Sequence, residues 1–515
     1  MSQANSSSNS QFEISGEGLF LDSFLGLLGE SPKIKVSGRA LEKCLQSRSY
    51  IEKRIGQGEV IYGVNTGFGS FSSVRISDSQ IEELQRNLIR SHSAGVGEPF
   101  SPRQTRGMMV LRANTLSRGH SAVRPQVIEK ILEFLENDII PVVPSQGSVG
   151  ASGDLAPLSH LALALIGEGR AWKGALQVPV AQLLQEKKIQ PLVLKAKEGL
   201  SLINGCQVMT AVGLIELDRA RNLLMMADVV GSLSLEALRG SRKAFDPLIS
   251  QTRPHAGEIA TARNLRALLG EGSAIGDSHI ECARVQDAYS LRCMPAVHGA
   301  VKDVWKRTLS VLEIEANSST DNPLVFAEEG KILSCGNFHG MPVALSLDAM
   351  TMAMTTLGSI SEQRISKLVN THMSDLPAFL TPDGGLNSGH MIVHVAAASL
   401  VSENKVLSHP ASVDSIPTSA DKEDHVSMGT IAARKLKMVN DNVTRILACE
   451  FLSSTQALDL LAPLKTTPVL ESVKTKVRET VPFAAKDRVF SDDISAIEKM
   501  IEAQVFKGLV AIEIL

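Results

Sequence analysis

The amino-acid sequence predicts a mostly α protein, with a loop-rich N-terminal domain followed by a long central helical bundle whose helices also pack between subunits. Three observations carry that reading. From about residue 201 onward, long segments rich in Ala, Leu, Met and Ser place apolar residues at i, i+3, i+4 and i+7, over 206–240, 343–370, 388–408 and 425–462. Aromatic residues make up only 4% of the chain and alternating β-branched stretches are few, so there is little material for sheet. Four long helices cannot each bury an apolar face inside one small monomer, which points to association between copies.

In chain order, residues 1–18 are rich in Ser, Asn and Gln and too poor in apolar groups to offset the entropy of ordering, and are expected to form a flexible tail. Residues 19–200 alternate short helical patterns with Gly- and Pro-punctuated loops and are expected to form the N-terminal domain; residues 201–515 are expected to hold the long-helix bundle and a C-terminal helical region. Polar or glycine-bearing loops interrupt the helices at 62–71, 91–100, 202–207, 286–295, 317–323, 336–342 and 419–428. Loops carried on a helical scaffold are where functional residues concentrate.

A formal charge of -3 and an ordinary charged fraction favour neither nucleic acid nor an anionic membrane as partner, leaving a small molecule. Six cysteines without a C-x-x-C pair argue against zinc and against a disulfide framework. The first residues lack the basic and apolar regions of a secretory signal, and no run of about 18 apolar residues offers a membrane span, so a cytoplasmic location is expected.

The most unusual stretch is GSVGASGDLAPL, residues 147–158. As a phosphate loop it fits poorly: the spacing is G-x-x-G-x-x-G, no G-K-[ST] follows, and Pro141 and Pro144 spoil the preceding strand. As a helix entry capped by Asp154 it leaves the small Ala151 and Ser152 between two glycines unexplained. A chemical reading accounts for them. The Gly153 amide can attack the Ala151 carbonyl only where both residues are small and the turn is compressed; loss of water then closes a five-membered ring. Elimination of the Ser152 hydroxyl leaves a conjugated exocyclic methylene, an electrophile made from the chain itself.

Tyr62, in YGVNTGFG, would serve as a general base only with its acidity raised by nearby positive charge or donors. Gln286, Tyr289 and Arg292 stand at i, i+3 and i+6 and, if helical, share roughly one face, with Arg292 the natural fork for a carboxylate. His390 and His394 have metal-ligand spacing but no carboxylate partner in sequence, which favours packing over a metal site. Glu423, Asp424 and His425 precede a long helix, where capping explains one acid but not both.

Together these loops resemble the aromatic amino acid ammonia-lyase and aminomutase superfamily, in its histidine-acting branch, in the same order from about residue 57 to about 460. The resemblance implies that Ala151, Ser152 and Gly153 cyclise to a 4-methylidene-imidazole-5-one (MIO) group, that no external cofactor or metal is needed, and that Tyr62 removes the substrate β-proton. It places Asn204, Gln286, Tyr289 and Phe338 around the prosthetic group and gives the substrate carboxylate to Arg292. His92, Met391 and above all Glu423 match pocket positions of the histidine branch. A carboxylate beside a phenyl ring would go unpaired, whereas an imidazole N–H satisfies it. Asp421-Lys422 and His390 stand where that branch usually has Asn-Gln and Phe. The implied reaction is deamination of L-histidine to trans-urocanate, in a homotetramer with shared active sites. An ammonia-lyase or 2,3-aminomutase acting on tyrosine or phenylalanine is the nearest alternative, and a nucleotide-binding helical protein the remote one.

Overall fold

The computed structural model describes residues 11–67, 71, 74–280 and 285–515. Among the described residues helix dominates, and the strands gather in four small sheets of two or three short strands each. The four long segments expected from periodicity appear as Gln207–Ala237, Met341–Val369, Met391–Leu407 and Gly429–Leu460. A fifth long helix, Met294–Ala316, did not stand out in the sequence, because its fully buried face includes His298 and Lys302, which interrupt the apolar period.

Two expectations of organisation change. Residues 1–10 of the expected tail lie outside the described residues, but Phe12–Ile14 is not tail: it pairs in parallel with Ile34–Val36. Alternation turns Ile14 inward and buries it, and the Gly16 amide donates to Asn114 Oδ1, so even a short apolar stretch is held. The division expected near residue 200 is also not the one the chain takes. Among the described residues, those within 1–215, 309–347 and 410–434 form one compact unit, and those within 216–308, 348–409 and 435–515 form another. Periodicity reports where a helix runs, not which neighbours each of its turns packs against.

In the first unit, Pro102–Ser117 is buried almost throughout, from Gln104 to Ser117. Ser101 caps it, its hydroxyl accepting from the Gln104 amide while Gln104 reaches back to the Ser101 N–H, and Pro102 fits the first turn, whose N–H would be unpaired anyway. The same unit holds the first turns of three long helices, starting at Gln207, Met341 and Gly429. They pack closely there: a Cβ on Gly340 or on Gly429 would lie 2.4 Å from Met209 Sδ, so Met209 would have to shift.

The second unit is helical among its described residues. Its interior carries charge as well as hydrocarbon. Asp228 receives Lys302 at 2.6 Å and His298 at 2.8 Å, and Glu450 receives Arg364 at 2.5 Å, all fully buried. The helix Met341–Val369 is long and apolar enough in composition to cross a membrane, yet more than half of its most apolar stretch is buried in the protein.

Candidate active site

The GASGD loop lies between the strand Pro144–Gln146 and the helix Leu155–Leu165, and it is pinned at both ends. On one side the Met428 amide donates to Val149 O at 2.9 Å, and Ser427 Oγ to Gly150 O at 3.0 Å. On the other, Gly153 bridges Gly205, and the Asp154 amide donates to Gly205 O at 2.8 Å. Gly150 and Gly153 hold φ of 69° and 75°, and a Cβ on Gly153 would lie 2.2 Å from Gly205 O. Only glycine fits at 153. Between these anchors Ala151 packs on Val426 and Met428, and Ser152 turns outward.

Asp154 does not cap its own helix. Its carboxylate reaches the start of the neighbouring one, accepting the Val208 and Met209 amides at 3.0 Å each and the Thr430 hydroxyl. The two amides are first-turn N–H groups of the helix Gln207–Ala237, where a carboxylate is favoured. Burial pushes the Asp154 carboxyl up to about 6 against the pull of these neutral donors and of Arg112.

Asn204 ends the short helix Glu198–Ile203 and donates from Nδ2 to Ser152 O at 3.1 Å, while its buried Oδ1 has no partner among the described residues. The fully buried Arg112 sets this loop, donating to Ser201 O at 2.9 Å and Asn204 O at 3.0 Å and also bonding Gln207. A guanidinium committed to backbone carbonyls fixes where Asn204 points.

Ser152 and Asn204 open on a cavity of about 1320 Å³ that Tyr62, His92, Phe338 and Glu423 also line. Ser152 Oγ donates to Glu423 Oε1 at 2.9 Å. Glu423 is not a helix cap, because the following helix begins only at Gly429. His92 Nδ1 meets Leu88 O at 2.9 Å, which puts the ring proton there and leaves Nε2 as acceptor in the neutral ring. Burial lowers the His92 pKa, against Leu88 O and the Glu423 charge, and so favours that neutral form. Phe338 is fixed through its carbonyl, which accepts from Cys206 Sγ at 3.1 Å. Phe68, Gly69 and Ser70 of the Tyr62 loop lie outside the described residues.

A small-residue loop fixed at both ends, an amide-bearing wall and a carboxylate facing the loop serine form one constellation, and comparison with known proteins accounts for it. The family model for aromatic amino acid lyases matches residues 19–479. The chain belongs to the aromatic amino acid lyase family. It is 49% identical to a histidine ammonia-lyase of Koribacter versatilis over 503 residues, 95% of this chain and 97% of the relative. Among solved structures, histidine ammonia-lyase from Trypanosoma cruzi superposes with a TM-score of 0.90 at 43% identity, covering 98% of this chain and 96% of that one. A tyrosine aminomutase from Streptomyces globisporus superposes with a TM-score of 0.92 at 38% identity, covering 97% of this chain and 98% of the other.

The remaining residues expected at this lyase's site, Gln286, Tyr289, Arg292 and Met391, belong to the second unit. The shared helical face expected for Gln286, Tyr289 and Arg292 does not form, since the helix there is only Tyr289–Arg292. The three still meet: Arg292 lies over the Tyr289 ring at 4.6 Å and donates to Gln286 Oε1 at 3.0 Å. Met391 opens its helix, with His390 before it in the N-cap position. His390 is buried against Phe490 and Ser453, and burial lowers its pKa to about 3. His394 turns to Glu362 at 2.8 Å, so the two histidines serve separate partners.

Sequence reasoning missed several cavity-wall residues of the lyase, among them Asn322, His339 and His425. The last two are stacked 5.9 Å apart. It also missed Thr418 and Ser419, whose hydroxyls each donate to Glu423 Oε2 at 2.8 Å. The clue available was their closeness in sequence to an acid that capping left unexplained.

Proposed function

We propose that this chain is a histidine ammonia-lyase, a carbon–nitrogen lyase that removes ammonia from L-histidine without oxidation and leaves trans-urocanate. The observation that carries the reading is Glu423 beside Ser152 in the wall of one cavity. A phenyl ring would leave that carboxylate facing carbon, whereas an imidazole offers it an N–H.

The residues at 151–153 fit an MIO group. The flanking backbone is held by Gly205, Ser427 and Met428, the glycine that must stay small is bounded by Gly205 O, and Asn204 keeps a buried acceptor unpaired beside Ser152. Formed from Ala151, Ser152 and Gly153 with no external cofactor, the group supplies an electrophile that makes the substrate amine a better leaving group. The protein side chains do the rest. Tyr62 takes the β-proton. Asn204 holds the Ser152 carbonyl, and its free Oδ1 is placed to accept from an ammonium. His92 Nε2 and Glu423 receive the imidazole. The first turn of the helix at Gln207, whose Val208 and Met209 N–H groups meet Asp154 behind the loop, and the first turn at Gly429 lend positive potential to a site where negative charge develops.

Arg292, with Gln286 and Tyr289, binds the substrate carboxylate, and Met391 closes the pocket; we assign these to other copies in a homotetramer with shared sites. A cytoplasmic location agrees with the unpaired state of all five described cysteines.

The test mixes the purified protein, without added cofactor, with L-histidine, L-tyrosine or L-phenylalanine, following near-UV absorbance and free ammonia. A rise with histidine alone, matched by ammonia, is expected. A rise with tyrosine or phenylalanine instead overturns the substrate, and a β-amino acid product without ammonia marks an aminomutase.

A further inference from the structure

The segment 418–423 is built in a way that the role of Glu423 alone does not require. Ser419, Ala420 and Asp421 hold φ of 53°, 53° and 63°, three successive non-glycine residues in the left-handed region. Such a run is unfavourable for L-residues and persists only where its surroundings enforce it. Here the ends are tied, with Thr418 N donating to Glu423 O at 3.0 Å and Glu423 N to Thr418 O at 3.3 Å. The product of this turn is the placement of two hydroxyls: Thr418 Oγ1 and Ser419 Oγ both donate to Glu423 Oε2 at 2.8 Å.

The two carboxylate oxygens therefore differ. Oε2 is engaged twice from within its own loop. Among the described residues, Oε1 receives only the Ser152 hydroxyl, and that hydroxyl is the group lost if residues 151–153 mature as proposed. Maturation would leave a carboxylate with one oxygen saturated and the other open to the cavity.

We propose that Thr418 and Ser419 are specificity-determining positioning residues: by saturating Oε2 they fix the plane of the Glu423 carboxylate and present Oε1 alone to a single N–H of the substrate ring. The inference rests on the proposed histidine lyase reading and adds how ring recognition is enforced. A carboxylate free to rotate would accept either ring nitrogen's proton, or a water, without regard to register. Held by two charge-assisted hydrogen bonds, it reads one N–H at one place.

The test compares the parent with Thr418→Val and Ser419→Ala, which remove the hydroxyls, and with Thr418→Ser, which keeps one. Steady-state rates on L-histidine are measured alongside inhibition by L-phenylalanine. Dissociation constants for both amino acids are also measured calorimetrically in a Ser152→Ala background that does not turn over. Each hydroxyl deletion is expected to lower kcat/KM for histidine about tenfold, mainly through KM, and to weaken histidine binding by a similar factor. Phenylalanine binding should stay within about twofold, and Thr418→Ser should behave as the parent. Equal weakening of histidine and phenylalanine, no change in histidine binding, or a Thr418→Ser protein as impaired as Thr418→Val would each overturn the proposal. The parent's own rates judge the substrate reading separately: a parent inactive on histidine but binding it with the expected dependence on the two hydroxyls would sink the reaction and keep the recognition device.

Discussion

Two fully buried aspartates, one in each compact unit, are pushed in opposite directions. Asp154 is raised to about 6, while Asp228 is lowered to about 2. Burial acts on both in the same sense, favouring the neutral acid. What differs is the company. Asp228 meets Lys302 at 2.6 Å and His298 at 2.8 Å, with Asn264 donating as well, and these outweigh burial. Asp154 has direct contact only with neutral donors, two backbone amides and a threonine hydroxyl. Arg112 is nearby but spends its guanidinium on carbonyls and a glutamine, and burial itself lowers its pKa to about 10. Around Asp228 charge is matched against charge and closes on itself. Around Asp154, Arg112 holds backbone in place, and a polar atom, Asn204 Oδ1, is left open beside a cavity. The latter arrangement suits chemistry and the former suits scaffolding.

The largest expected effect breaks the two functions apart. Ser152→Ala removes a hydroxyl whose described partner is Glu423 at the cavity wall, so little packing is lost. Ammonia release from L-histidine should fall on the order of a thousandfold or more, while the denaturation midpoint stays near the parent's. Retained activity would remove the self-made prosthetic group from the account.

A substitution in the second unit should do the reverse. Arg364→Met leaves the Glu450 carboxylate buried with only Ser234 and Ser361 as donors, at 2.6 Å and 2.5 Å. Stripping one partner from a buried ion pair costs about 3–5 kcal/mol, and replacing both with apolar residues restores most of it. Denaturant unfolding of Arg364→Met and of Arg364→Met with Glu450→Leu should show that loss and that recovery. Equal stability of the single and double variants would mean the pair is not closed in the way described.

The same contrast marks what could be read from sequence. The long helices were legible because their apolar period is local, and the GASGD loop because glycine between small residues has few other uses. Met294–Ala316 was obscured by its own buried His298 and Lys302, residues that read as surface until Asp228 stands beside them. Asp154 read as a cap for its own helix, since a sequence cannot show that a helix start some fifty residues later, at Val208 and Met209, reaches its carboxylate first. The candidate residues Tyr62, His92, Ser152, Asn204, Phe338 and Glu423 share a cavity, whereas the hydroxyls of Thr418 and Ser419 acquire their role only once a left-handed turn folds them back on Glu423. Interleaving of the two units was invisible for the same reason, because membership is decided by long-range contacts.

The smallest effect sharpens the comparison between the aspartates and depends on pH. Asp154 titrates near 6 in the folded protein and near the ordinary aspartate value, about 4, when unfolded, so the folded state holds its proton more tightly. Its contribution to stability is therefore fully present below about pH 4 and is lost as pH rises through about 6, by up to roughly 3 kcal/mol at about 1.4 kcal/mol per pH unit. Asp228 has the opposite sign: its contribution is present above about pH 4 and is lost as pH falls toward about 2. Asparagine mimics the protonated aspartate. Its carbonyl can take the Val208 and Met209 amides, and its NH2 can face a Thr430 hydroxyl turned to accept. Asp154→Asn should match the parent within about 1 kcal/mol near pH 5 and flatten its decline between pH 4 and 6, whereas Asp228→Asn strands Lys302 and loses about 3–5 kcal/mol at pH 7. Denaturant midpoints of the three proteins at half-unit steps from pH 4 to 7.5 decide it. An Asp154→Asn curve parallel to the parent's would show that folding does not shift the Asp154 carboxyl, and the contrast between the two buried acids would then lie in geometry rather than in charge.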